Sequence, residues 1–164
     1  MKKTGENLAV AFAGESQAHQ KYTAFAKQAD AEGFALAAKM FRAAAEAEAN
    51  HAYLHLKNMG GIGSTAENLK KAIEGETYEF EQMYPPFITE AEKEGHTTAS
   101  RGLNFANEAE KVHAALYSQV LADLDSKKVY DVYLCPTCGH VAFGNAPDKC
   151  PICGAKETSY KKID

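Results

Sequence analysis

Apolar and small residues recur along residues 4–126 at the three- and four-residue spacing that places them on one face of a helix. Glycines interrupt this pattern at Gly33, at 60–63 and at Gly95, where each can end a helix. The pattern therefore predicts an all-α four-helix bundle. Its helices are expected at about 4–31, from Gly33 to about 59, at about 65–94 and at about 97–126.

Two local signals refine these helices. Ser64-Thr65-Ala66-Glu67 has the spacing of a capping box and predicts the start of the third helix. Pro85-Pro86 lies inside that helix and is expected to kink it or to remove backbone hydrogen bonds there.

The pattern changes at about residue 129. Residues 129–134, Val-Tyr-Asp-Val-Tyr-Leu, alternate in the way that predicts a strand, and the rest of the chain is rich in Gly, Pro and Cys. We therefore predict two domains, a helical one at 1–128 and a small β-rich one at 129–164.

A glutamate interrupts the apolar stripe near the middle of every predicted helix. These residues are Glu15, Glu48, Glu76 and Glu110. A single glutamate on such a stripe is more often an edge residue whose carboxylate reaches water. Four at one level would repel each other, and burying each unpaired would cost several kcal/mol. Cations placed among them would remove that penalty, so the pattern favours a metal site.

An internal duplication strengthens this interpretation. Glu48-Ala-Asn-His51 recurs 62 residues later as Glu110-Lys-Val-His113, and Phe25 recurs as Phe87. Glu-x-x-His puts a carboxylate and an imidazole on one helical face, one turn apart. Two such motifs, with one Glu from each of two further helices, are typical of di-iron or di-manganese bundles.

The third predicted helix offers a second carboxylate, Glu79, one turn from Glu76. Seven ligands for two ions leave one in surplus, which suits an ion that changes partner when its charge changes. Carboxylate and imidazole suit iron, manganese or zinc. The seven are Glu15, Glu48, His51, Glu76, Glu79, Glu110 and His113.

The tail contains two Cys-x-x-Cys-Gly knuckles, Cys135–Cys138 and Cys150–Cys153. Two knuckles predict a tetrahedral sulfur site, which either iron or zinc can occupy. A structural zinc ribbon is the alternative to an iron site. His140, next to the first knuckle, is expected on the surface.

Composition excludes several partners. The net charge of −4 and the pI near 5.9 argue against nucleic acid and against an anionic membrane surface. No 18-residue apolar run and no signal-peptide apolar region is present. Because the cysteines form metal-type pairs, a reducing compartment is expected, and with it a cytoplasmic location.

These motifs together resemble the rubrerythrin family over the whole chain. Phe12-Ala-Gly-Glu15-Ser16 with Tyr22 is similar to its first-helix motif, and Gly75-Glu76-Thr-Tyr-Glu79 with Met83-Tyr84-Pro85 to its third. The duplicated motifs and both knuckles match as well. The one departure is the short connection between the second and third helices, where many ferritin-like bundles have a long crossover.

The resemblance implies a ferritin-like bundle and a rubredoxin-like end. It also implies a peroxidase, whose reduced non-haem di-iron site converts hydrogen peroxide to water. One iron in the tetrathiolate site would return electrons, drawn from NAD(P)H through separate carriers such as rubredoxin. Zinc could replace iron there in recombinant material. The alternative is an iron-binding or ferroxidase protein with a structural zinc tail.

The resemblance also implies roles for the site residues. Glu48 and Glu110 would bridge the irons, while Glu76 and His113 would serve one of them. Glu15 would serve the other, which would exchange Glu79 for His51 on reduction. Tyr22 and Tyr84 would hydrogen-bond to the ligands.

The expected assembly is a homodimer. The tail is expected beyond the end of the fourth helix, which lies about 20 Å from His113. A head-to-tail partner would therefore be needed to bring a tetrathiolate iron close to the di-iron site. The short connection leaves two arrangements open. One chain either folds up-down-up-down alone or exchanges its helix pairs with its partner.

Overall fold

The computed structural model describes residues 3–164, which form two compact units divided between Gly63 and Ser64. The domain boundary predicted after residue 128 stays a prediction, since the units divide elsewhere. The predicted class is confirmed, because long helices make up most of the described chain and a small sheet lies at its C-terminal end. No helix within residues 3–164 is long and apolar enough to cross a membrane.

The first unit is a helical hairpin of α1 (Lys3–Ala31) and α2 (Ala35–Asn58). Gly33 makes the turn at φ +82°, a conformation that residues with a side chain rarely adopt. The residues buried between the helices are alanines, which allow a close approach of the two backbones. Larger side chains are left partly exposed, including Phe25 at 47%.

The second unit begins with α3 (Thr65–Tyr78), which starts with the predicted capping box of Ser64 and Glu67. A π-helical turn (Glu79–Met83) then leads into α4 (Tyr84–Lys93). After a turn at Gly95 follows α5 (Thr97–Ala122), which contacts both α3 and α4.

The π-helical turn has a direct cause in the two prolines. Pro85 and Pro86 have no N–H, so the carbonyls of Glu81 and Gln82 lose their α-helical donors. The chain widens instead, and the N–H of Tyr84 donates to the carbonyl of Glu79, five residues back. Such turns are frequent at functional sites, and this one carries the predicted ligand Glu79.

The C-terminal part contains a three-stranded antiparallel sheet in the order β2-β1-β3. Its strands are β1 (Val132–Leu134), β2 (Val141–Phe143) and β3 (Lys161–Ile163). The strand predicted at 129–134 is therefore real but shorter, since residues 129–131 lie outside it. Both knuckles close with a backbone hydrogen bond, from Gly139 N–H to Cys135 O and from Gly154 N–H to Cys150 O.

The prediction that the tail lies beyond the end of the fourth helix is wrong. Lys127, at φ +50°, reverses the chain after α5, and Tyr130 hydrogen-bonds back to Asp123 at 2.9 Å. The tail then packs along α5, where Phe105 contacts the cysteine cluster. A sheet of three-residue strands buries little apolar surface by itself, and its strand β2 packs against α5.

Candidate metal centres

The first unit brings three predicted ligands together. Glu15 on α1 and Glu48 and His51 on α2 each offer one atom, and these atoms lie within 4.8 Å of one another. His51 Nδ1 is 2.8 Å from Glu48 Oε2. Because alanines line the interface, the two helices approach closely enough for the Glu15 side chain to reach Glu48 and His51.

Electrostatics in this triad favour a cation. A hydrogen bond to Glu48, followed by burial and the charge of Glu48, raises the pKa of Glu15. A hydrogen bond to His51, followed by the one to Glu15, lowers the pKa of Glu48. Without metal the two carboxylates therefore repel each other, and a cation between them would relieve that repulsion.

The second unit contains the matching triad. Glu76 on α3 and Glu110 and His113 on α5 also have ligand atoms within 4.8 Å of one another. His113 Nδ1 is 2.7 Å from Glu110 Oε2 and 3.7 Å from Glu76 Oε2. Burial, followed by the hydrogen bond and the charge of Glu110, raises the pKa of Glu76 to about 7.

Glu79 and Tyr84 belong to the surroundings of this second triad. Burial raises the pKa of Glu79, helped by the charge of Glu76 and opposed by His113. Burial also raises the pKa of Tyr84, together with the charges of Glu79, Glu110 and Glu76. The structure thus puts both residues in the field of the ligands, although Glu79 lies outside the group within 4.8 Å.

The seven predicted ligands therefore form two groups, three in the first unit and four in the second. Tyr22 lies in an aromatic cluster of the first unit, 6.3 Å from the ring centroids of both Phe25 and Phe41. His19, expected in a core or ligand-supporting position, hydrogen-bonds across the hairpin to Ala45 O at 2.9 Å. Oxygen and imidazole ligands in each group suit first-row ions such as iron.

The four cysteines form a separate cluster. Their sulfurs lie within 4.8 Å of one another, with Sγ–Sγ distances of 3.6 Å between Cys135 and Cys153 and 3.5 Å between Cys138 and Cys150. All four are free thiols. A tetrahedral metal with bonds of about 2.3 Å requires sulfur separations of about 3.8 Å. The cluster fits one such ion closely.

The pKa values of the thiols point the same way. Burial raises the pKa of Cys138. Burial opposes ionisation of Cys150 too, but hydrogen bonds from the backbone of Cys153 and from Tyr160 lower its pKa to about 6. Four thiolates this close would repel each other strongly without a cation.

One contact joins the two kinds of centre within the second unit. His113 Nε2 is 2.9 Å from the carbonyl oxygen of Gly139, the residue after Cys138. A carbonyl only accepts, so Nε2 carries the hydrogen and Nδ1 is left free to bind a metal beside Glu110. Sequence reasoning missed this contact, because periodicity contains no signal for the docking of the tail on α5.

His140 corrects a second expectation. It is 8% exposed, and the prediction of a surface position is wrong. Its Nδ1 is 2.9 Å from the Tyr160 hydroxyl, and the two rings meet edge to face. Burial here follows from the packing of the tail, which the sequence pattern does not reveal.

Comparison with known proteins gives matches over nearly the whole chain. The rubrerythrin family profile matches residues 6–121, and the profile described as "Rubrerythrin, rubredoxin-like domain" matches residues 133–161. Nigerythrin of Nitratidesulfovibrio vulgaris is 38% identical over 92% of this chain and 81% of its own length. A rubrerythrin of Porphyromonas gingivalis is 34% identical over 98% of this chain and 90% of its own.

Solved structures give the same result. The structure titled "Partially Reduced State of Nigerythrin" has a TM-score of 0.61 and 36% identity, covering 99% of this chain and 88% of that one. The fully reduced, all-ferrous state of nigerythrin has the same TM-score and identity. These likenesses confirm the predicted fold class, a ferritin-like helical part with a rubredoxin-like end.

Proposed function

This chain belongs to the rubrerythrin family, and from that premise we propose that it is a peroxidase that reduces hydrogen peroxide to water at a non-haem di-iron site. Family membership, the two ligand triads and the four-cysteine cluster support the broader statement, an iron-binding oxidoreductase of oxidative-stress defence. The electrons would come from NAD(P)H through a separate carrier such as rubredoxin. The reduced thiols suit a cytoplasmic location.

The hydrogen bond between His113 and Gly139 carries this proposal. It connects a predicted iron ligand to the backbone one residue after a predicted sulfur ligand, Cys138. A structural zinc ribbon has no need of such a contact. An electron carrier does need one, because a short path of covalent and hydrogen bonds favours transfer between the centres.

The proposed division of ligands follows the two groups. Glu48 and Glu110 would bridge, and Glu76 with His113 would hold one ion. Glu15 would hold the other, exchanging Glu79 for His51 when the site is reduced. Each group contains one Glu-x-x-His motif, which supports one ion beside each group.

When bound, the paired irons supply the two electrons that O–O cleavage needs, and a tetrathiolate iron supplies electrons singly. The side chains and backbone of the protein orient the ligands and hydrogen-bond to them. Gly139 orients the ring of His113 through its carbonyl. Burial raises the pKa of Tyr84, which lies in the field of the carboxylates, and its hydroxyl would hydrogen-bond to the ligands.

The second candidate is a ferroxidase or iron-binding protein with a structural zinc tail. Four thiolates accept zinc as readily as iron, which keeps this candidate open. Both functions would give an iron-loaded bundle. They differ in whether the tail must carry electrons.

Zinc in the tail distinguishes the two functions without removing any part of the chain. Full-length protein would be prepared with iron in the carboxylate sites and either iron or zinc in the tail, and its metal content measured. We expect both forms, once chemically reduced, to react with peroxide. Only the iron-tailed form should turn over with a rubredoxin-type donor, because zinc has no redox chemistry. Equal turnover by both forms would favour the structural tail.

We also infer that the protein is a homodimer. The helices leave large apolar side chains exposed, such as Phe25 at 47% and its duplicate Phe87 at 50%. The buried apolar side chains of the described helices are all alanines. Such a core is typical of helix pairs whose second face is covered by further helices.

The length of the connection favours exchange of helix pairs between chains. Six residues, Met59–Ser64, separate α2 from α3 and can span at most about 20 Å. The 24 residues of α2 are about 36 Å long. A ferritin-like crossover must run the length of the bundle, so we propose that α1–α2 of one chain pair with α3–α5 of its partner. Head-to-tail contact is no longer needed to bring a tail close, since the tail reaches His113 of its own chain.

Complementation between two inactive variants tests the exchange. Glu48→Ala and Glu110→Ala would be unfolded together, refolded at equal concentration and assayed for iron binding. With exchange, a mixed dimer contains one site with both glutamates, so about a quarter of all sites recover. Without exchange every site retains one defect, and recovery at the level of the separate variants would refute the proposal.

A further inference from the structure

Three residues of the tail form a chain of polar contacts that the proposed function does not use. Tyr160 packs against the cysteine cluster, with its hydroxyl close enough to the Cys150 sulfur for each group to shift the pKa of the other. The same hydroxyl is 2.9 Å from Nδ1 of the buried His140. The His140 and Tyr160 rings meet at an interplanar angle of 86°. Tyr160 therefore contacts both an imidazole nitrogen and the cysteine cluster.

Counting hydrogens fixes the direction of these bonds once a metal is bound. A metal-bound Cys150 is a thiolate and can only accept, so the Tyr160 hydroxyl must donate to it. That hydroxyl has a single hydrogen. Its contact with His140 can then be a hydrogen bond only if Nδ1 carries a hydrogen and donates to the tyrosine oxygen.

We propose that Tyr160 donates a hydrogen bond to the Cys150 thiolate of the iron-loaded tail and thereby raises the reduction potential of that iron. His140 is the positioning residue that holds the Tyr160 hydroxyl in place. The proposal needs iron in the tail, as the proposed function does, but it does not need peroxidase activity.

The direction of the effect follows from charge. An iron held by four thiolates gains one negative charge on reduction. A hydrogen bond to sulfur offsets that charge and so stabilises the reduced form more than the oxidised form. Burial strengthens the bond, since Cys150 is 2% and His140 8% exposed.

Tyr160→Phe removes only the hydroxyl and keeps the ring that packs on the cysteines. Spectroelectrochemistry of the iron-loaded full-length protein should show the one-electron equilibrium shifted towards the oxidised form. We expect a shift of roughly three- to tenfold, tenfold being 59 mV for one electron. Tyr133→Phe, in strand β1 and outside the cysteine cluster, is the matched control and should leave the potential unchanged.

A double variant tests the role of His140. His140→Leu should shift the potential in the same direction as Tyr160→Phe, and His140→Asn, which retains an N–H donor, should restore part of it. In a Tyr160→Phe background, His140→Leu should add nothing, because the hydroxyl it holds is gone. Independent, additive shifts would overturn the positioning role.

A fluorinated tyrosine covers the case in which Tyr160→Phe binds no iron. Replacing Tyr160 by 3,5-difluorotyrosine keeps ring and hydroxyl but makes the hydroxyl a stronger donor. The potential should then rise above that of the unmodified protein. If either the Tyr160→Phe variant or the difluorotyrosine protein binds iron and its reduction potential is unchanged, the proposal is overturned. Peroxide turnover is not part of either measurement, so the outcome is independent of the proposed peroxidase activity.

Discussion

Glu76→Gln should stabilise the protein when its carboxylate sites hold no metal. Glu76 is 21% exposed and lies beside Glu110, and its pKa rises from 4.5 to about 7. Ionising it in the folded state is therefore unfavourable. The amide keeps the shape of the side chain and removes the charge.

The size of the effect follows from the pKa difference. The interval from 4.5 to about 7 corresponds to about 3.4 kcal/mol at 1.36 kcal/mol per pH unit. Solvent screening of a partly exposed group reduces this to about 1.5–2 kcal/mol. Because the folded pKa lies above the unfolded one, this penalty is absent below about pH 4.5, develops between pH 4.5 and 7, and is complete above pH 7.

Urea unfolding of the metal-stripped proteins measures this directly. Protein concentration and tail metal would be matched, since both change apparent stability. At pH 8 the Gln variant should be more stable by about 1.5–2 kcal/mol, and at pH 4 the two should agree within about 0.5 kcal/mol. Iron binding should reverse this order of stabilities, because it should strongly stabilise only the unmodified protein. A variant destabilised equally at both pH values would mean that Glu76 is a satisfied structural carboxylate.

Three further outcomes are expected. Glu110→Ala should lose iron and peroxidase activity. Glu108→Ala removes an exposed pair with Lys111 and a hydrogen bond from Asn107 and should change both by less than about twofold. Equal losses, measured by metal analysis and turnover, would contradict the assignment. Crystal structures of the two redox states should show one iron closer to Glu79 when oxidised and closer to His51 when reduced. Identical ligation in both states would exclude this exchange of ligands. Phe105→Ala should leave the metal content unchanged but lower the free energy of unfolding by about 2 kcal/mol. It should also slow the re-reduction of the di-iron site after a peroxide pulse. Unchanged re-reduction in stopped-flow experiments would argue that docking of the tail on α5 has no role in electron transfer.

The helices could be predicted because local rules determine them. Apolar spacing marks the buried faces, glycines mark the turns, and the capping box at Ser64 begins α3 as expected. The Glu-x-x-His motifs are readable for the same reason, since helical spacing alone brings both side chains of each motif to one face.

The tail could not be predicted in the same way. Its docking depends on a left-handed residue at Lys127 and on packing of Phe105, neither of which has a periodic signal. The burial of His140 follows from that docking. The two prolines indicated a disturbed helix, but not that it would become a π-helical turn at Glu79, because sequence does not tell which carbonyls find new donors.

The stoichiometry of peroxide reduction tests the proposed peroxidase function. Iron-loaded protein would be supplied anaerobically with a reduced rubredoxin-type donor and limiting hydrogen peroxide, while donor oxidation, peroxide and dissolved oxygen are followed together. We expect continuous turnover with two donor electrons consumed for each peroxide and no oxygen released. Oxygen release, or a reaction that stops after the protein's own electrons are spent, would contradict a peroxidase that is reduced through its tail.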